Sequence, residues 1–152
     1  MVVVSKTGLE HAWGYYKYIV EQKEISGSVQ INEENLKKLE SSIKHLGDLA
    51  QAIKNFKSPH TSQMLEIVLA GALSLKTSDI HLEPAENHGL LRLRIDGLLH
   101  TAFDEFLPAV YKSLITRIKL LSNLKLNVTG EAQDGRFTIK VSDRDIEIRT
   151  SI

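Results

Sequence analysis

The sequence has no cysteine, only three prolines, no net charge and no long hydrophobic run. Without cysteine, the chain has no disulfide framework, no thiolate metal site and no cysteine nucleophile. Its 19 Lys and Arg residues balance 19 Asp and Glu residues, so no overall field attracts nucleic acid or an anionic membrane. No stretch approaches the roughly 18 apolar residues of a membrane span. The apolar residues 1–4 end at Ser5-Lys6, which does not fit a signal peptide, and we expect a cytosolic protein.

The length of 152 residues predicts one domain, or one domain with a helical extension, and the composition, 42% hydrophobic and 25% charged, is typical of a soluble globular protein. Residues 1–57 predict this helical N-terminal segment, because apolar residues recur at three- and four-residue steps over residues 9–20 and 36–56. Gly47 is a predicted break in the second stripe. Asn32 is a predicted N-cap. A short strand is predicted just before it, at Val29-Gln30-Ile31.

Residues 58–152 are the predicted main domain. Thr61 or Ser62 is expected to cap a helix that extends to about Lys76. Within this helix, the small residues 70–72 would permit close packing against a sheet.

After Ser78 the apolar period changes from 3.6 to 2. A strand is predicted from Asp79 to Glu83, and Asp96-Gly97 separates two alternating runs, which is the strongest short-range hairpin signal. Pro108 begins a predicted helix to about Asn123.

A second hairpin follows, in which Phe137, Ile139 and Val141 share a face with Ile146 and Ile148. Its predicted turn is at residues 142–143. The order of elements predicts an α+β fold, with an antiparallel sheet and helices packed on it.

Sequence motifs for catalysis are absent. There is no G-x-x-x-x-G-K-[ST] and no G-x-G-x-x-G, so no phosphate-cradling loop is predicted, and there is no G-x-S-x-G elbow. His81 and Glu83 have the H-x-E spacing of zinc deaminases, but that chemistry also needs two cysteine ligands. We therefore expect His81 and Glu83 to be a solvated or hydrogen-bonded pair on one face of a strand.

All six arginines lie in the second half of the chain. Arg92 and Arg94 alternate on one strand face, Arg117 is on the next helix, and Arg136 and Arg149 are on the last hairpin. If they converge, their guanidinium groups would form a cationic surface suited to a phosphate or to an acidic neighbouring subunit. The alternative is a solvated surface on which each arginine pairs locally with an acid such as Asp79, Asp96 or Glu147.

Five segments in order resemble signatures of the type II secretion and type IV pilus assembly ATPases. Residues 77–84, TSDIHLEP, resemble their ASDIHIEP, and residues 92–99, RLRIDGLL, resemble RxRIDGxL. Residues 117–122, RIKLLS, resemble RIKxxS, and residues 133–137, QDGRF, resemble the PQDGR turn. Residues 145–151, DIEIRTS, resemble the DxRVST strand.

The resemblance implies that residues 58–152 are the PAS-like N2 domain that precedes the RecA-like motor domain in these ATPases. The fragment itself would then be non-catalytic and without a cofactor, while ATP and Mg would bind the full-length parent. Six subunits form a ring in the family, in which the N-terminal domain of one subunit packs on the motor domain of its neighbour.

The implied partners are therefore the motor domain, neighbouring subunits and inner-membrane secretion or pilus platform proteins. No nucleic acid and no direct membrane span are implied. The location would be cytoplasmic, peripheral to the inner membrane. By motif position, Arg94, Arg117, Arg136 and Arg149 are expected at the nucleotide between the domains.

The sequence also departs from the family. Residues 127–136 are two residues shorter than DIAERRLPQDGR and lack its Arg-Arg pair and its proline, which indicates a divergent branch. The alternative function is a stand-alone PAS-like ligand-binding or protein-interaction module, which would need a cavity lined by sheet residues such as Leu93, Leu99 and Ile139. An RNA-binding module is disfavoured, because the net charge is zero and no aromatic pair lies on a predicted strand.

Overall fold

A computed structural model of the chain describes residues 5–16, 27–31, 33–58, 60–141 and 144–152. These residues form an α+β fold, as predicted. The helices are α1 (Lys6–Tyr16), α2 (Glu33–Ser42), α3 (Leu46–Asn55), α4 (Thr61–Ser74) and α5 (Pro108–Leu121). The strands are β1 (Ser28–Ile31), β2 (Asp79–Pro84), β3 (Gly89–Ile95), β4 (Leu98–Phe106), β5 (Asp134–Val141) and β6 (Arg144–Ser151).

The described strands form two sheets of three strands each, which we name after their central strands. The β3 sheet has the order β2-β3-β4 and is antiparallel throughout. The β5 sheet has the order β1-β5-β6, in which β5 and β6 are antiparallel and β1 runs parallel to β5. The short strand predicted at residues 29–31 therefore exists, and it joins a sheet with strands more than 100 residues further along the chain.

Both predicted hairpins are confirmed within the described residues. At the turn between β3 and β4, Asp96 has a φ of 48° and Gly97 a φ of 82°, the positive values that a type I′ turn requires. In the second hairpin, Phe137 lies opposite Ile148 and Ile139 lies opposite Ile146, so these apolar side chains do share a face. The turn predicted at residues 142–143 lies outside the described residues.

Helix α4 is at the centre of the hydrophobic core. Half of its residues are buried, and they point in several directions because α2, α3, α5 and β1 all pack around it. Of the small residues 70–72, which were predicted to permit close packing against a sheet, Gly71 faces another helix. A Cβ on Gly71 would lie 2.5 Å from Leu49 Cδ1 on α3, so the glycine allows two helices to approach closely.

Two helix boundaries lie at other residues than the sequence predicts. Residue Gly47 lies inside α3, because the break between α2 and α3 comes earlier. There the Asp48 carboxylate accepts hydrogen bonds from the backbone N–H groups of Lys44 and His45, both at 2.9 Å, and these bonds hold the pKa of Asp48 below its usual value. The N-cap of α4 is His60, so Thr61 is already helical and Ser62 is no cap. The predicted N-cap Asn32 lies outside the described residues.

The first helix confirms the start of the predicted helix at residues 9–20, while residues after Tyr16 lie outside the described part. On α1, Leu9 and Trp13 are exposed. Among the helices that the structure describes, none has the length and apolar character needed to cross a membrane.

The β3 sheet and α5 meet at a tyrosine. The Tyr111 hydroxyl donates a hydrogen bond of 3.3 Å to the Leu82 carbonyl on β2. Burial, with the negative charge of Glu83 as a second cause, raises the pKa of Tyr111, so the hydroxyl keeps its proton. The ring lies against the backbone of β3, where a Cβ on Gly89 would be 2.9 Å or less from three of the tyrosine's side-chain atoms. This contact requires glycine.

We expect Gly89→Ala to lower the free energy of unfolding by about 1–3 kcal/mol, because the added methyl overpacks this contact. Urea denaturation of the purified chain measures the change. Gly47→Ala is the matched control and should not lower the free energy of unfolding. A Cβ at Gly47 meets nothing within 4 Å, and alanine favours a helix over glycine by about 1 kcal/mol. Equal stabilities of Gly89→Ala and the unsubstituted chain would contradict the close contact.

Candidate functional site

Three of the five motif segments meet at the C-terminal end of α5. The Ser122 hydroxyl, at the end of RIKLLS, donates a 2.9 Å hydrogen bond to the Thr150 hydroxyl in the last strand. A Cβ on Gly135, in the QDGR turn, would lie 2.5 Å from the Ser122 carbonyl oxygen. Only glycine therefore lets β5 pass this close to the helix end. Residues far apart in sequence thus fix where the last hairpin begins.

The loop from α5 to β5 is held by two motif residues that share one acceptor. Lys119 is buried, and its Nζ donates to the Val128 carbonyl at 2.7 Å. Gln133 Nε2 donates to the same carbonyl at 3.2 Å and to the Lys125 carbonyl at 3.1 Å. Gln133 Oε1 in turn accepts from the Lys125 backbone N–H at 2.9 Å. We call Lys119 and Gln133 the loop clamp.

Sequence reasoning assigned no role to the loop clamp. Lys119 follows Ile118, in the apolar stripe of α5. A lysine bordering a buried face usually has its ammonium group paired or hydrogen-bonded, which is the signal that could have indicated the buried contact. The role of Gln133 has no such signal, because its partners are backbone atoms of a loop.

Beyond the clamp, the β5–β6 hairpin brings two predicted site residues together. Arg136 on β5 lies directly opposite Arg149 on β6, so both side chains stand on the same, exposed face of the β5 sheet. Glu147 is the near counter-charge, with its Oε2 at 3.8 Å from Arg136 Nη1. These residues line a shallow depression together with Asp134, Gly135, Thr150 and Ser151. We call Arg136 and Arg149 the arginine pair.

Like charges directly opposite each other on neighbouring strands destabilise a sheet. In the arginine pair, the exposed carboxylate of Glu147, 3.8 Å from Arg136, and that of Asp134 in the same depression offset part of this repulsion. An anion with several oxygens placed over the pair would relieve it and would accept hydrogen bonds from both planar guanidinium forks. The arrangement is therefore suited to binding a phosphate or a carboxylate.

Arg94 lies on the other sheet and is engaged locally. Its Nε is 3.0 Å from Asp79 Oδ2 on β2, and its Nη1 donates to the Gly97 carbonyl at 3.3 Å. Arg92 is 3.5 Å from Glu83 Oε1, and His81 Nδ1 is 4.0 Å from the same oxygen. His81 and Glu83, predicted as a pair, thus lie beside the ion pairs that Arg92 and Arg94 form between β2 and β3.

Arg117 is on α5, and its guanidinium is partly enclosed. Its Nε is buried and has no hydrogen-bond partner among the described residues. Its positive charge acts on Glu66 of α4, where burial raises the pKa of the carboxyl group and Arg117 offsets part of that increase. Of the four predicted site residues, then, Arg136 and Arg149 are directly opposite each other, while Arg94 and Arg117 lie on other elements beside their own carboxylates.

A cleft of about 420 Å³ lies between the two sheets. Its lining comes mainly from apolar side chains of α4, α5, β2 and β6. The residues predicted to line a ligand cavity, Leu93, Leu99 and Ile139, are not among those that line it. Leu93 and Ile139 are instead buried in the core, so that part of the prediction is wrong.

No group of three or more His, Cys, Asp or Glu residues that could hold a metal ion occurs in the described parts of the chain. The donor groups that are exposed together are guanidiniums, which suit the oxygens of an anion. Fold and site thus define an α+β domain that presents paired arginines on one sheet face, next to a junction built from motif residues.

Comparison with known proteins shows which family shares these motifs. Residues 55–152 match the family described as Type II/IV secretion system protein. The chain is 37% identical over 91 residues to the type II secretion system protein HxcR of Pseudomonas aeruginosa, an alignment that covers 59% of this chain and 19% of HxcR.

Two further relatives are similar over the same extent. The protein transport protein HofB homolog of Escherichia coli is 39% identical over 88 residues, which cover 58% of this chain and 19% of that protein. The type IV pilus assembly ATPase TfpB of Acinetobacter baylyi is 36% identical over 94 residues, which cover 60% of this chain and 16% of TfpB.

The chain belongs to the type II/IV secretion system protein family. It spans about a fifth or less of the length of these relatives. The resemblance inferred from the five motifs is therefore confirmed at the level of the family.

We expect Gln133→Ala to lower the free energy of unfolding by about 1–3 kcal/mol, because a partly buried loop loses the three hydrogen bonds of the amide. Gln51→Ala is the matched control, since Gln51 is exposed and makes one side-chain bond, to Asn55 at 3.1 Å. Thermal unfolding of both variants measures the difference. A Gln133→Ala variant as stable as Gln51→Ala would show that the clamp does not hold the loop.

Proposed function

We propose that this chain is a non-catalytic domain of a hexameric secretion or pilus-assembly ATPase. Residues 58–152 would be the PAS-like domain, with residues 1–57 as its helical extension. This N-terminal domain would pack on the motor domain of a neighbouring subunit. Family membership supports the proposal, as does the name of the relative TfpB, which is a type IV pilus assembly ATPase. The sequence has no phosphate-binding loop of its own, so ATP and Mg²⁺ would bind the motor domain.

The arginine pair is the observation that supports a nucleotide contact best. Two exposed guanidiniums stand opposite each other, with Glu147 3.8 Å from Arg136 and Asp134 lining the same depression, and negative charge spread over phosphoryl oxygens is what such a pair can stabilise. The donors of this surface suit phosphate oxygens rather than Mg²⁺, which prefers oxygen ligands. When bound, the nucleotide supplies the phosphoryl group, and Arg136 and Arg149 would orient it and neutralise its charge.

Arg94 and Arg117 belong to the same proposal through their motif positions. Each would have to turn from its present neighbour toward the nucleotide. For Arg94 this means leaving Asp79, an exchange with a low cost because both side chains are partly exposed. Arg117 has a free donor at Nε within the described residues.

The location proposed is cytoplasmic, peripheral to the inner membrane through platform proteins of a secretion or pilus system. A second candidate function is a stand-alone PAS-like module that binds a ligand or a protein. The cleft between the sheets favours it, because an apolar cavity of about 420 Å³ has the size of a small-molecule site.

The source gene distinguishes the two candidates. We expect the reading frame to continue past the codon for Ile152 and to reach a G-x-x-x-x-G-K-[ST] motif within about 100–200 further codons, the length of one domain. Sequencing the locus tests this. A stop codon directly after Ile152 would contradict the ATPase proposal and leave the stand-alone module.

In the full-length protein, we expect Arg136→Ala and Arg149→Ala each to lower the ATPase kcat by about 10²–10³-fold, the usual effect of removing one donor to developing charge. Arg144→Ala is the matched control: Arg144 is exposed on the same strand and is not among the residues of the depression, so its kcat should stay within about twofold. Far-UV circular dichroism checks that all variants are folded.

The same assay tests the other two arginines separately. Unchanged turnover in Arg94→Ala or Arg117→Ala would remove that residue from the site. Unchanged turnover in both Arg136→Ala and Arg149→Ala would contradict the nucleotide contact of the arginine pair.

A further inference from the structure

Two opposite charges lie where α4 packs on α5. Glu66 is on α4 and Arg117 is on α5, and both side chains are partly buried. Neither lines the cleft between the sheets, although their chain neighbours Leu65 and Ile118 do. Among the described residues, Arg117 is the charged group that acts on the Glu66 carboxyl group. The two side chains therefore attract each other across the contact between the helices.

This attraction is not completed by a direct bond. Within the described parts of the chain, neither Glu66 nor Arg117 forms an ion pair or a hydrogen bond. The Nε of Arg117 is buried without an acceptor, and a buried donor that is left unpaired costs free energy. Two effects on the present position of Arg117 thus oppose each other. The carboxylate and the packing of the methylene groups favour this position, and the unpaired Nε disfavours it.

An outward movement of Arg117 would change both effects. It would bring Nε to water or to the oxygens of an anion, and it would take the guanidinium away from Glu66. A ligand that binds only the extended side chain must therefore overcome the attraction of the carboxylate. Because apparent affinity falls with the fraction of molecules in the competent conformation, Glu66 would weaken the binding of such a ligand without contacting it.

We propose that Glu66 is a positioning residue that keeps Arg117 away from an anionic ligand, so that the ligand and Glu66 compete for the same guanidinium. The inference rests on the proposed function in one respect, which is that Arg117 turns toward the nucleotide. Glu66 lies outside the five motif segments. A residue of α4 would thus set the nucleotide affinity of an arginine that α5 provides.

Nucleotide affinity of the full-length protein tests this competition. The probe is the non-hydrolysable ATP analogue AMP-PNP with an N-methylanthraniloyl label. Glu66→Gln should bind it about two- to fivefold more tightly than the unsubstituted protein, the range expected for a partly exposed ion pair. The kcat for ATP should stay within about twofold, because the substitution changes binding and not the transition state alone. Damage to the fold would instead weaken binding.

Two control variants accompany this measurement. In the Arg117→Ala background, Glu66→Gln should leave the affinity unchanged, since no guanidinium remains to be released. Glu105→Gln removes the same charge from an exposed carboxylate that pairs with Lys54 at 3.1 Å, and its affinity for the probe should also stay unchanged. This second variant separates the local effect of Glu66 from an effect of net charge. Circular dichroism confirms that all variants are folded.

A second measurement needs no nucleotide and uses the 152-residue chain. NMR of the side-chain carboxyl carbon follows the titration of Glu66 in the unsubstituted chain and in Arg117→Gln. The pKa of Glu66 should be higher in Arg117→Gln, because the positive charge that offsets part of the effect of burial is gone. Equal pKa values in the two chains would show that the side chains do not interact, and this would overturn the proposal.

The variants distinguish a failure of this proposal from a failure of the nucleotide contact. If Arg117→Ala weakens binding of the probe and Glu66→Gln does not tighten it, the role of Glu66 is wrong and the contact of Arg117 stands. Tighter binding of Glu66→Gln in the Arg117→Ala background as well would also overturn the competition. If Arg117→Ala binds the probe as tightly as the unsubstituted protein, the nucleotide contact of Arg117 is itself contradicted, and the role of Glu66 with it.

Discussion

The burial of α4 is the constraint on which the other elements depend. This helix has few polar side chains, and a helix that is apolar on most sides must be surrounded. The chain surrounds it with α2 and α3 from the first part of the sequence and with β1 and α5. The two sheets meet mainly through this helix and α5, which leaves the space between their edges open.

Local chemistry in the sequence was enough to predict much of this arrangement. Asp96 and Gly97 tolerate positive φ, and the alternating apolar residues of the last hairpin fix its register, so both hairpins are readable from a few neighbouring residues. Helix boundaries were less certain, because the Asp48 carboxylate that starts α3 competes with the more obvious signal of Gly47. The parallel pairing of β1 with β5 could not be read at all, since no local pattern specifies a partner so distant in sequence.

The candidate site shows the same limit. Its arginines were identified from motif positions, but periodicity cannot say which of them share a surface. The register of β5 and β6 decides that Arg136 and Arg149 are opposite each other. On the β3 sheet, Asp79 of the neighbouring strand and the Gly97 carbonyl of the β3–β4 turn give Arg94 two local acceptors. Several motif residues, among them Gln133 and Gly135, contact the backbone of other segments rather than solvent. The motifs therefore combine groups that shape the domain with groups that face outward.

The loop clamp has a consequence for how this segment can change over evolutionary time. Lys119 and Gln133 fix the loop at Lys125, Val128 and Gln133 itself, and residues 129–132 between these points are exposed. Insertions or deletions there change the length of a loop segment, residues 129–132, whose two ends are held by hydrogen bonds. The entropic cost of such a change in loop length is small. This loop segment can thus become shorter or longer, and gain or lose basic residues, during evolution, while the loop clamp keeps the start of β5 in the same position.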